Sequence, residues 1–172
     1  MRGKLQKSSR SDEVIELPAE NANAVIDDHH KAALLYDHYK KGANMNFPKD
    51  LKYAKTDEWV KVEGEIATIG ISDYAQSQLG DIVYFEFAVE PDEEVKAGQA
   101  LGSVDSAKAT AEVNFPVSGT VLEINENITD EVEALNQDPY GKGWLAKIKI
   151  SDPAELAELM DAEAYEAYCE SR

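Results

Sequence analysis

The sequence predicts a mostly β domain with helical trim. Three observations support this: short strand-like segments at close spacing, glycines between them, and two marked helix starts. In chain order the strand candidates are EWVKV (58–62), EIATIGI (65–71), DIVYFEF (81–87), QALGSV (99–104), TAEVNF (110–115), GTVLEI (119–124) and WLAKIKI (144–150). Several alternate apolar and polar residues, as an antiparallel strand does when one face meets the core and the other meets water. Gly64, Gly70, Gly80, Gly98, Gly102 and Gly119 punctuate the series. Ser72 opens a helical turn, SDYAQSQL, that Gly80 ends. Asp152-Pro153-Ala154-Glu155 combines an Asp cap, Pro at the first helical position and Glu three residues after the cap. The stretch PAELAELMDAEAYEAYCE then reads as one or two short helices.

Composition narrows the function. The chain has 172 residues, 17 basic and 34 acidic, for a net charge of −17. Binding a polyanion requires clustered Lys and Arg that displace counterions, so nucleic acid is excluded as the expected partner. An anionic membrane surface is disfavoured for the same reason. No run of apolar residues is long enough to span a bilayer. With 43% hydrophobic residues the chain still builds a core. The single Cys169 rules out an internal disulfide and a cysteine-based metal cluster, and fits a reducing compartment. Its place close to the C-terminal end reads as inert rather than catalytic.

Charge divides the chain in two. Residues 1–44 hold seven basic and seven acidic residues, while residues 45–172 hold ten basic and 27 acidic, so the second part carries the whole −17. All three histidines, His29, His30 and His38, lie in the first part. The acidic part has no Ser–His or Cys–His nucleophile and no usual His-containing metal site. Its composition points to a carrier or binding module rather than an enzyme. The expected organisation is an N-terminal extension, 1–44, and one domain, 45–172. The extension is polar and aperiodic, with one short helix expected in DDHHKAALLYDHYKKG, capped at Asp27 or Asp28 and stopped at Gly42. Its seven acids argue against an organelle transit peptide, and it lacks a secretory apolar region. It reads as a tail, an upstream-start extension or an expression leader, with Met45 as a candidate start. The expected location is the cytoplasm of a bacterial-type cell.

A weak internal echo runs through the second part. Gly80-Asp81-Ile82-Val83 and Gly119-Thr120-Val121-Leu122 each open a strand candidate, 39 positions apart. Each is followed by an acidic stretch around a valine, Glu93-Glu94-Val95-Lys96 and Asp130-Glu131-Val132-Glu133. Two readings stay open: coincidence among short β segments, or a duplicated half-barrel closed as a sandwich. In the second reading residues 101–115 form an exposed hairpin between the copies. Lys108 is the only basic residue between Lys96 and Lys142, and its neighbours Ser106, Ala107, Ala109 and Thr110 are small. A lysine at a turn is ordinarily a solvated charge. The alternative is an attachment point, a protruding amine acylated by another enzyme to carry a swinging arm. Trp59, Trp144 and Tyr140 read as core or turn packing, and DPYGKGW (138–144) as a turn.

These residues resemble a known family. LKYAKTDEWVKVEGEIATIGISDYAQSQLGDIVYFE (51–86), VDSAKATAEVNFPVSGTVLEINE (104–126), LNQDPYGKGWLAKIKISDP (135–153) and DAEAYEAYCE (161–170) are similar to the glycine cleavage system H proteins. The resemblance runs from about Phe47 to the C-terminal end and leaves residues 1–44 outside it. It implies a barrel-sandwich hybrid of the lipoyl/biotinyl-carrier type, with lipoic acid in amide linkage to Lys108. A biotin carrier would show Met on both sides of the lysine, where this chain has Ala107 and Ala109.

The implied function is a shuttle, not an enzyme. Glycine decarboxylase (P protein) loads an aminomethyl group onto the arm, and aminomethyltransferase (T protein) unloads it to tetrahydrofolate. Dihydrolipoyl dehydrogenase (L protein) reoxidises the dithiol, and lipoate- or octanoate-attaching enzymes install the arm. The resemblance also implies a cleft that shields the loaded arm, at Thr56, Glu58 and Glu112. Where the family favours Glu three residues before the lysine, this chain has Asp105, a position implied in recognition by the attaching enzyme. Just before the lysine Ala107 stands where Val is common. Two other readings remain. One is a lipoyl domain of a 2-oxo-acid dehydrogenase, though no Ala/Pro-rich linker is present. The other is an H-like protein acting in lipoate relay or as an unmodified acidic interaction module.

Overall fold

The computed structural model describes residues 45–172. The expected N-terminal extension and its helix lie outside the described residues. The elements are β1 (Lys52–Tyr53), β2 (Glu58–Glu63), β3 (Ile66–Ile71), α1 (Asp73–Leu79), β4 (Ile82–Phe87), β5 (Glu94–Val95) and β6 (Ala100–Ser106). There follow β7 (Thr110–Asn114), β8 (Gly119–Ile124), a 3-10 turn (Glu126–Thr129), α2 (Ala134–Gln137), β9 (Ala146–Ile150), a second 3-10 turn (Pro153–Glu158) and α3 (Ala162–Glu170). All seven strand candidates form, each with ends within two residues of the expected ones. The two-residue strands β1 and β5 are too short to show alternation, so no sequence pattern announced them.

Two antiparallel sheets result among the described residues, one in the order β1-β2-β3-β9-β8-β5 and one in the order β4-β6-β7. Their facing residues make one core. Val60, Ile69, Val121 and Ile148 from the larger sheet join Phe85, Leu101, Val104 and Val113 from the smaller one, all buried. Burying each such side chain contributes about 1.5–3 kcal/mol, which is what makes closure of the sandwich favourable. A second cluster of Leu51, Tyr53, Trp59, Ala162, Tyr165 and Cys169 packs α3 against β1 and β2. Its rings meet closely, with Tyr53 and Tyr165 stacked at 4.6 Å.

The internal echo holds in part. β4 with β6, and β8 with β9, are antiparallel pairs in matching places. The acidic stretches differ: Glu94–Val95 is a strand on β8, whereas residues 130–133 lie between a 3-10 turn and α2.

Helix starts follow the expected chemistry with one correction. Ser72 Oγ accepts the Ala75 amide at 3.1 Å, and Gly80 ends α1 at φ 75°, a conformation open to glycine. Asp152 accepts the Ala154 amide at 3.1 Å, but the segment it opens is a 3-10 turn and no capping box closes. Glu155 reaches sideways instead, accepting the Ser118 amide at 2.8 Å and its hydroxyl at 2.7 Å. That contact ties the segment to the residue just before β8 of the larger sheet, so Glu155 is satisfied by a distant partner instead of a local one. Trp59 is core as expected, its Nε1 donating to Pro139 O at 3.0 Å. Tyr140 secures the turn, donating to Asn46 O at 2.6 Å and accepting the Asp73 amide at 2.9 Å.

Candidate functional site: a lysine hairpin and a buried carboxylate

The lysine turn is closed by its own small residues. β6 and β7 pair up to Asp105 opposite Thr110, and the Ser106 amide donates to Ala109 O at 2.8 Å. The Ser106 hydroxyl oxygen accepts the Ala109 amide at 3.1 Å. A bond of 3.1 Å from the Ala107 amide to Asp81 O fastens the tip to the start of β4. Lys108 stands exposed at this tip, and no ion pair to it forms among the described residues. Its stem runs past Gly80: a Cβ built there would lie 3.6 Å from Lys108 Cε.

Sequence reasoning missed what holds Gly80. Asn136 Nδ2 donates to Gly80 O at 2.7 Å, and Asn136 Oδ1 accepts the Ile82 amide at 2.9 Å. An asparagine in α2 thus splices the end of α1 to the start of β4, beneath the lysine turn. Nothing in the spacing of Asn136 announces this, because the contact spans more than 50 residues.

Glu58 is the opposite kind of residue. It begins β2, is 1% exposed, and has both carboxylate oxygens engaged. Oε1 accepts the Asn114 amide at 2.9 Å, and Oε2 accepts the Thr56 hydroxyl. Burial disfavours the charged form and pushes its carboxyl up to about 7, the two hydrogen bonds opposing without prevailing. Thr56 and Glu58 flank Asp57 in the turn between β1 and β2. The Ala54 amide donates to Glu58 O at 2.9 Å, and the Asp57 amide donates to Ala54 O at 3.0 Å.

β7 joins the two places. Strand alternation puts Thr110, Glu112 and Asn114 on one face, leading from the lysine turn to the amide that Glu58 holds. That run of strand spans about 13 Å. Glu112 is exposed on it, opposite Ser103 of β6. The structure therefore brings Thr56 and Glu58 into contact and places Glu112 on the strand between them and the lysine. Asp105 lies elsewhere, half-exposed at the base of the hairpin, between Tyr84 and Thr110 across the sheet.

Comparison with known proteins gives the context. The family model described as glycine cleavage H-protein matches residues 51–172. A glycine cleavage system H protein of Carboxydothermus hydrogenoformans is 50% identical over 123 residues, covering 72% of this chain and 94% of that protein. One from Staphylococcus saprophyticus is 51% identical over 121 residues, covering 70% and 95% respectively. The crystal structure of a glycine cleavage system H protein from Mycobacterium marinum superposes with a TM-score of 0.64 at 31% identity, over 70% of this chain and 97% of that one. With the matched segment spanning both sheets, the lysine hairpin and α3, the chain belongs to the glycine cleavage H-protein family, the lipoyl-bearing shuttles of the glycine cleavage system.

Proposed function

We propose that Lys108 is the lipoyl attachment site and that Thr56, Glu58 and Glu112 receive the loaded arm. The observation that carries this reading is the hairpin tip: an exposed amine among small residues, with its stem over a glycine. The fit to an amide-linked arm is good, since an attaching enzyme reaches the amine without displacing a packed side chain. Once attached, the dithiolane supplies redox and one-carbon-carrying chemistry that no side chain offers.

The chain's own residues position and protect. The Ala107–Asp81 bond and the Asn136 splice hold the turn, so the arm swings from a fixed root. Glu112 presents a carboxylate along the path of the arm. Thr56 is exposed at the turn with Glu58 buried behind it, and a carboxylate in a partly dry site holds an ammonium more firmly than one in water. Asp105 at the hairpin base is positioned to be read by a lipoate- or octanoate-attaching enzyme. The partners in this reading are the P, T and L proteins, the chain itself is not an enzyme, and the site of action is the bacterial-type cytoplasm. Among the described residues no helix is long and apolar enough to cross a membrane.

The test is glycine–bicarbonate exchange by the P protein. Exchange is expected to depend on the lipoylated chain and to vanish with the unlipoylated one. Equal exchange with and without lipoylated chain sinks the shuttle reading and favours lipoate relay.

A further inference from the structure

The turn that carries Thr56 and Glu58 is held from outside by the C-terminal helix. Asp57, between them, has φ 79°, a left-handed conformation that costs a non-glycine residue energy unless its surroundings enforce it. Three groups enforce it. Arg172 Nη1 and Nη2 donate to Asp57 Oδ1 and Oδ2 at 2.6 and 2.9 Å, a two-point fork. Tyr165 of α3 donates to Asp57 Oδ1 at 2.8 Å and lies 2.7 Å from the Ser72 hydroxyl, the cap of α1. The Ser72 amide in turn donates to Asp57 O at 2.8 Å.

The fork is itself fixed. The Arg172 guanidinium lies 4.6 Å from the Tyr74 ring and 4.7 Å from the Tyr168 ring, between α1 and α3. Asp57 is 16% exposed and Arg172 31%, so the pair is shielded beyond an ordinary surface ion pair. Planar stacking and a two-point bond together demand a guanidinium, which an ammonium does not replace.

We infer that Asp57 and Arg172 form a latch through which α3 positions the Thr56–Glu58 acceptor pair for the ammonium end of the loaded arm. This rests on the proposal that Thr56 and Glu58 receive the arm. Arg172 is a positioning residue: it acts on the arm only through the backbone of the 54–58 turn. The core shared by the two sheets includes neither Arg172 nor any residue of α3, which packs instead on β1 and β2 through its own buried cluster. The latch therefore tunes retention of the arm separately from folding.

Two measurements on the full chain test it. In the unloaded protein, the Asn114 amide reports the seat of Glu58, because that amide donates to Glu58 Oε1. Arg172→Gln is expected to speed hydrogen exchange at this amide by about fivefold, with Arg172→Lys falling short of full rescue. Core amides of β3 and β9 stay unchanged. In the aminomethylated protein, Arg172→Gln is expected to speed hydrolysis of the aminomethyl group, in which water enters and formaldehyde, ammonia and the free thiol leave, by a similar factor. In a Glu58→Gln background it adds little, because both changes remove the same seat. Unchanged Asn114 exchange in Arg172→Gln overturns the latch. Full rescue by Arg172→Lys contradicts the need for a fork. If Glu58→Gln alone leaves formaldehyde release unchanged, the receiving role of Glu58 fails instead, while the exchange result still judges the latch.

Discussion

The lysine hairpin and the 54–58 turn are both short turns on an antiparallel frame, yet they are built oppositely. At the hairpin tip Ser106, Ala107 and Ala109 leave Lys108 exposed, and among the described residues the turn is held by backbone bonds and one serine. At the other turn Glu58 is sealed off, Asp57 is forced into a left-handed conformation, and bonds arrive from β7, α1 and α3. Attachment of an arm requires access, and the proposed attachment turn is small and loosely surrounded. Reception of an arm requires a dry, fixed seat, and the proposed receiving turn is anchored by packing. Substitutions at the two places should accordingly separate chemistry from stability.

The largest stability effect is expected under the 54–58 turn. Trp59 neighbours Glu58 and lies against Gly70, where a built Cβ would fall 2.7 Å from the indole. Trp59→Ala should cost about 3–5 kcal/mol in denaturant unfolding, since the cavity cannot collapse onto rigid strands. A loss below about 1 kcal/mol would mean the turn is not anchored by this packing.

Glu58 offers a sharper comparison through pH. Its folded carboxyl titrates near about 7 against an ordinary 4.5, so between these values the folded state holds a proton that the unfolded chain releases. Stability from this group is complete below the lower value and declines as pH rises through the window. Glu58→Gln, fixed in the neutral form, should flatten that decline and gain on the wild type by about 1–3 kcal/mol between pH 4 and pH 8. Parallel profiles would show that burial does not govern this carboxyl.

The smallest effect is expected at the hairpin base. Asp105→Glu introduces the residue that the family resemblance favours at a half-exposed position, so stability should stay within about 0.5 kcal/mol. The rate of acylation by a lipoate-attaching enzyme should rise. A measurable fall would remove Asp105 from the recognition surface.

Much of this molecule was legible in its residues. Short strand-like segments between glycines mark the seven longer strands, and Ser72 and Gly80 behave as their cap chemistry dictates. The isolation of Lys108 among small residues was visible too. Contacts between distant segments were not. Glu155 binding Ser118, Asn136 splicing Gly80 to Ile82, and Arg172 forking Asp57 each join residues more than 35 positions apart. Local pattern has no term for such pairs. Glu58 and Thr56 were named from family resemblance, but no periodicity shows that this glutamate is sealed beneath a left-handed aspartate.

The central claim is that Lys108 bears the arm, and intact mass tests it most directly. Wild-type chain from a lipoate-competent host is expected to carry one lipoyl or octanoyl increment, absent in Lys108→Ala, with the two proteins unfolding at matching denaturant concentrations. An unmodified wild-type chain, or an increment that persists in Lys108→Ala, would contradict it.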